Sequence, residues 1–228
     1  MAKYFKNVVR TAVALPAVFL INGVVSSASA DTINFDNLTA GTQIDAADPS
    51  WSVDKVDGST MLAEVSAKMA KSGSNSLYLL DDSTADKPYA ILPFENGPAA
   101  SGSISFDAYI PSDNAKTVYI NVGVGKNNSQ RYFEIRLSAS EGKAEYENGS
   151  PDMKFADFTP DQWHTYTATW GNGKFSIAID GVAMPDATDI SVESTGLSTD
   201  NIPTTVTFYA GDKSSKGTAA YIDNVKIK

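Results

Sequence analysis

The chain has 228 residues, enough for one substantial core and short for two full domains. It carries 18 Lys and Arg against 27 Asp and Glu, a net charge of -9, which argues against nucleic acid and against docking on anionic lipid. Cysteine is absent and His164 is the single histidine. Disulfides, thiolate nucleophiles and multi-histidine metal sites are therefore excluded, and a Ser-His-Asp triad is disfavoured.

In chain order, the first feature is a basic start, Lys3, Lys6 and Arg10, followed by an apolar run from Thr11 to Val25. Small residues close it, with Ala28 and Ala30 at the positions a signal peptidase reads. Residues 1–30 thus read as a secretory signal, and 31–228 as one mature domain. Pro16, Asn22 and Gly23 interrupt a run already too short for an anchor, and no later stretch approaches the ~20 apolar residues of a membrane span. Without the three leading cations the mature chain has 15 basic and 27 acidic residues, a charge of -12. An exported chain without disulfides fits a bacterial setting, secreted or periplasmic.

Met61 to Ala70 reads either as a short helix or as a strand with loops. From about Ser76 onward, alternation of period two replaces any helical pattern. Ile104, Phe106, Ala108 and Ile110 share one face of a strand, as do Val118, Ile120, Val122 and Val124, and then Phe133, Ile135 and Leu137. Further strands are expected over 163–170, 174–180, 205–210 and 220–227, separated by Gly- and Asn-rich turns. Many short strands at this spacing predict an all-β chain, a single β-sandwich (jelly roll) of two antiparallel sheets. Trp163 and Trp170 differ in parity, so one belongs to the core; Trp51 suits a plug at one end, and His164 a structural hydrogen bonder.

The outward positions carry the chemistry. Opposite Phe133, Ile135 and Leu137 stand Tyr132, Glu134 and Arg136. The same parity turns Tyr109 outward on one strand, Tyr119 and Asn121 on another, and Tyr209 on a third. A pyranose ring offers apolar C–H faces to aromatic rings and hydroxyls to fixed donors and acceptors. Tyr109, Tyr119, Asn121, Tyr132, Glu134, Arg136 and Tyr209 are therefore the candidate ligand set, with a polysaccharide or oligosaccharide as the partner.

The segment Gln162-Trp-His-Thr-Tyr-Thr-Ala-Thr-Trp-Gly-Asn-Gly-Lys-Phe-Ser-Ile-Ala-Ile-Asp-Gly181 resembles one in concanavalin A-like and laminin G-like jelly rolls. Ile33-Asn-Phe-Asp36, Lys71-Ser-Gly-Ser-Asn-Ser-Leu77 and the closing Ala220-Tyr-Ile-Asp-Asn-Val-Lys-Ile227 resemble secreted carbohydrate-binding modules. That resemblance implies a structural Ca2+ held by Asp36, Ser74 or Asn75, and Asp223. Glycosidases of this fold use an E-x-D-x-x-E strand, which is missing here; Glu134 stands alone. Arg131-Tyr-Phe-Glu-Ile-Arg136 has a faint similarity to a strand of jelly-roll alginate lyases, although the spacing differs and their Q-I/V-H motif is missing. In a lyase reading, Arg136 and Asn121 neutralise a uronate carboxylate while Tyr132 or His164 moves protons. The leading expectation is a secreted carbohydrate-binding protein with no catalytic residue assigned; the alternatives are a polysaccharide lyase and a structural or adhesive matrix protein.

Overall fold

A computed structural model describes residues 32–55, 60–84, 86–211 and 217–228. The signal assigned to residues 1–30 lies outside the described residues. The predicted all-β sandwich is what the chain forms: two antiparallel sheets with their apolar faces together. Strands are numbered in chain order. One sheet has seven strands, in the spatial order β1 (Ser52–Asp54), β4 (Tyr89–Pro93), β14 (Thr205–Ala210), β6 (Val118–Gly123), β7 (Arg131–Ser138), β8 (Lys143–Tyr146) and β9 (Met153–Asp157). The other runs β12 (Val182–Ala183), β11 (Lys174–Ile179), β10 (Trp163–Gly171), β5 (Gly102–Tyr109), β15 (Thr218–Ile227), β3 (Ser76–Asp81) and β2 (Leu62–Ser66), with β13 (Ile190–Ser191) also paired to β11. The last two strands of the described residues lie inside the sheets: β14 between β4 and β6, β15 between β5 and β3.

Alternation decides what is buried. Ile104, Phe106, Val118, Ile120, Val122, Phe133, Ile135 and Leu137 are all inaccessible, as their parity predicts. Phe106 packs against Tyr166 and Phe208, and Phe133 against Phe175, so aromatic rings fill the middle of the sandwich. Trp170 is the core member of the tryptophan pair, while Trp163 faces outward and half-exposed. Trp51 is buried between Phe35 and Phe208, as a plug should be. The Met61–Ala70 stretch forms β2 and a loop, and the α-helix among the described residues is a single turn, Ile44–Ala47. No helix of the described residues is long and apolar enough to cross a membrane.

One departure from strict alternation matters for the site. Val122 lies opposite Phe133, but Gly123 lies opposite Arg131, so β7 holds an extra residue at that point. A Cβ on Gly123 would stand 2.1 Å from the Gln130 carbonyl oxygen; the bulge exists because this position has no side chain.

Candidate functional site

The outward face of the seven-stranded sheet carries two cross-strand rows. In the first, Tyr89, Tyr209, Tyr119, Arg136 and Glu145 stand opposite one another on β4, β14, β6, β7 and β8. In the second, one pleat away, stand Ile91, Thr207, Asn121 and Glu134. The rings of Tyr119 and Tyr209 stack at 4.7 Å and 8°, and Tyr89 follows at 5.0 Å. Lys87 lies 5.3 and 5.0 Å over Tyr119 and Tyr209, Lys126 lies 4.8 Å over Tyr89, and Arg136 lies 5.8 Å over Tyr119. Lys126, from the turn after β6, also pairs with Asp54 on β1.

Beside the rings runs a closed circuit of charge. Glu134 accepts from Arg136 Nε at 2.8 Å and forms an ion pair with Arg131, whose Nε lies 2.9 Å from its Oε2. Glu147 meets the same two guanidiniums at 2.6 and 3.3 Å, and Asp152 adds a further pair to Arg136. Tyr209 joins the circuit by donating its hydroxyl to Glu134 Oε2 at 2.5 Å and accepting from Arg131 Nη2 at 3.0 Å. Burial raises the Tyr209 phenol well above its ordinary value, and the Glu134 charge raises it further, so it remains a donor. Burial also raises the Glu134 carboxyl, against the pull of Arg131, Tyr209 and Arg136. The Tyr89 phenol is pushed up to about 12 by burial, with Asp86 and Asp54 adding to it. Buried charges of this kind cost desolvation unless geometry is close to ideal. Their position outside the hydrophobic core marks a face whose shape is held by polar contacts.

Five of the predicted ligand residues, Tyr119, Asn121, Glu134, Arg136 and Tyr209, do meet on this face. Three of them are less accessible than alternation suggests: Asn121 and Glu134 are 0% exposed and Tyr209 1%. The reason is overhead cover. Lys87 lies across the rings, Glu147 closes on the arginines, and the turn after β6 takes the Asn121 amide through the Gly125 carbonyl at 2.9 Å. Tyr89, Tyr119 and Arg136 keep accessible surface.

Tyr132 and Tyr109 lie elsewhere. The bulge gives the outward place to Arg131 and leaves Tyr132 in the core at 3% exposure, packed edge-on to Phe133 and beside Ser101, Asn172 and Thr199. Tyr109 belongs to β5 and so to the opposite sheet. Tyr89, Arg131, Glu147 and Asp152 complete the face without having been singled out in the sequence; Gly123, a glycine inside a strand, was the available sign of the bulge. The four residues of the lyase reading are not assembled. His164 sits on β10 of the other sheet, bonded to Asp180 at 2.7 Å and to the Thr159 carbonyl at 3.1 Å, the structural role expected of it.

Asp36, Asn75 and Asp223 converge on the loop at 71–75. Asp36 Oδ1 accepts the Ser74 and Asn75 amides at 2.7 and 3.1 Å, and Asp223 Oδ2 accepts those of Lys71 and Ser72, each at 3.0 Å. Gly73, at φ 63°, leaves room for the Asp36 carboxylate where a Cβ would collide with it at 1.9 Å. The two loop amides hold the Asp36 carboxyl below the usual range, whereas burial raises that of Asp223, with the nearby Asp36 charge adding to the rise. Carboxylate oxygens are of the type calcium takes, but loop amides already engage both carboxylates, and no group of three or more acidic or imidazole side chains among the described residues gathers as a metal centre.

No family model matches the sequence, and no curated protein matches it. Solved structures do match in shape. A sialidase superposes with a TM-score of 0.63 at 13% identity over 87% of this chain, which spans 18% of the sialidase. A carbohydrate esterase of a Shiga toxin-encoding bacteriophage gives 0.54 at 14% identity, covering 86% of this chain and 98% of its own. The cellulose-induced protein Cip1 gives 0.54 at 16% identity, covering 79% and 91%. At these identities the likeness is one of fold: the same two-sheet β-sandwich.

Proposed function

We propose that the protein binds a polysaccharide or oligosaccharide on the outward face of the seven-stranded sheet. The observation that carries this is the cross-strand row Tyr89, Tyr209, Tyr119, Arg136, which sets aromatic faces beside a fixed guanidinium. Tyr89, Tyr119 and Arg136 are the contact groups. Glu134, Arg131, Asn121 and Tyr209 are positioning groups that hold them, a division that follows from burial. The carbohydrate-related names of the proteins sharing the fold support the ligand class, and a secreted or periplasmic site of action accords with it. In the lyase alternative the residue that moves protons is Tyr132 or His164, and neither stands on this face: Tyr132 is buried at the bulge and His164 lies on the other sheet.

The test is retardation of the protein in native gels containing soluble polysaccharides. Tyr119→Ala is expected to weaken the retained interaction about ten-fold, equivalent to roughly 1.4 kcal/mol, with the melting temperature kept. Unchanged retention would reject this face. An unsaturated uronate product in the same incubation would replace binding with lyase activity. A structural Ca2+ beside Asp36, Asn75 and Asp223 belongs to the same reading. Chelation is then expected to lower the melting temperature and added calcium to restore it; superimposable melts would remove the ion.

A further inference from the structure

The opposite face of the molecule carries an aromatic row of its own. Alternation that buries Leu77, Leu79, Ala220, Ile222, Ala108 and Tyr166 turns Tyr78, Tyr221, Tyr109 and Trp163 outward on four adjacent strands of the eight-stranded sheet. Register places them side by side: Tyr78 opposite Tyr221, Tyr221 opposite Tyr109, and Tyr109 opposite Trp163. Their ring centroids follow at 4.8, 6.1 and 5.8 Å. Three inter-strand gaps make a row roughly 14 Å long. Tyr221, Tyr109 and Trp163 are each partly exposed and are the rings a ligand can reach; Tyr78, 8% exposed with Lys68 4.9 Å over its ring, supports them at one end.

Cross-strand packing explains why such rings touch but not why this row is wholly aromatic. The next outward residues of β10 are Thr165, Thr167 and Thr169, the ordinary choice for a wet strand. The surroundings narrow the occupant. Asp107 and Asp223 stand one pleat away on the strands of Tyr109 and Tyr221, Glu64 stands opposite Tyr78, and Asp161 takes the Tyr109 hydroxyl at 3.4 Å. Together these carboxylates repel a polyuronate; Glu64 and Asp161 keep accessible surface with which to accept from sugar hydroxyls, whereas Asp107 and Asp223 are buried and already hydrogen-bonded within the protein. The seven-stranded face, by contrast, presents Arg136.

We infer that the row Tyr78, Tyr221, Tyr109, Trp163 is a second glycan site, taking a neutral polysaccharide chain along the outward face of the eight-stranded sheet. It shares no residue with the first face, so each stands or falls alone. A protein with two such faces on opposite sheets bridges glycan chains.

The experiment uses the full chain in native gels holding hydroxyethylcellulose, galactomannan or laminarin, with polygalacturonate as the anionic comparison. At least one neutral polymer is expected to retard the protein, with Tyr109→Ala and Trp163→Ala each weakening that retention ten-fold or more and Val182→Ala, on the exposed edge strand outside both rows, leaving it intact. A second measurement needs no variant. Trp51 and Trp170 are 3% and 5% exposed, so acrylamide quenches chiefly Trp163, and the retarding polymer is expected to protect it. Retardation by none of the neutral polymers overturns the inference. So does neutral retention that Tyr119→Ala abolishes and Trp163→Ala spares, or polygalacturonate retention lost on Trp163→Ala. A concentration-dependent doubling of mass that Trp163→Ala removes would assign the row to a second copy of the chain instead.

Discussion

Glu134→Ala is expected to lower stability by about 3–5 kcal/mol, the usual cost of leaving buried charges without their counter-charge. In a sandwich of this size that corresponds to a fall in melting temperature of roughly 10 °C. Glu134 is 0% exposed; it accepts from Arg136 Nε and the Tyr209 phenol at 2.8 and 2.5 Å and pairs in charge with Arg131 at 2.9 Å. Alanine would leave Arg131 and Arg136 facing each other with Glu147 as their shared acid, and the Tyr209 hydroxyl without its acceptor. Glu134→Gln keeps the volume and one acceptor, so it should fall between wild type and alanine. Thermal melts decide the matter: a loss under about 1 kcal/mol for the alanine variant would mean that the circuit is open in solution. If the first face binds glycan as proposed, both variants lose retention in the gel even where they remain folded, because Arg136 loses the partner that aims it.

Gly123→Ala is the second change with a large expected effect, although it adds one carbon and removes no contact. That carbon would stand 2.1 Å from the Gln130 carbonyl oxygen and 3.0 Å from Arg131 Cα, both backbone atoms, so the clash cannot be relieved by a rotamer. Overpacking of this kind costs about 1–3 kcal/mol. The functional consequence is more specific. Flattening the bulge would restore strict alternation, bring Tyr132 to the outward face and withdraw Arg131 from Glu134 and Glu147. Glycan retention should therefore fall further than the melt alone would account for. Gly217→Ala serves as the control, since its Cβ meets only Leu80, at an ordinary 3.7 Å. Equal behaviour of the two variants would dismiss the bulge as a determinant of the site.

Much of the architecture was legible in the sequence because one property, alternation, is local. The inward sets of β5, β6 and β7 are buried as read, and Tyr119, Asn121, Glu134, Arg136 and Tyr209 share a sheet face as parity required. What escaped depends on partners distant in the chain. Parity says that Tyr109 points outward but not from which sheet, and β5 pairs with β10 and β15 instead of β6. Tyr132 was misplaced because one extra residue reverses every alternation argument on its side of the bulge. The burial of Asn121 and Glu134 comes from loop residues laid across the strands, and period-two patterning carries no information about cover. Short strands such as β8 and β9 were missed because four or five residues beside turn clusters show too little periodicity.

The placement of β14 and β15 bears on when the molecule acquires its surfaces. Tyr209 and Tyr221, an inner ring of each aromatic row, reside on β14 and β15, which come after the other described strands of their sheets in the chain, and each is the wedge that joins the two parts of its sheet. A nascent chain has neither surface to offer until β14 and β15 have emerged, so contact-making waits on their synthesis. Removing β14 and β15 would abolish both rows at once.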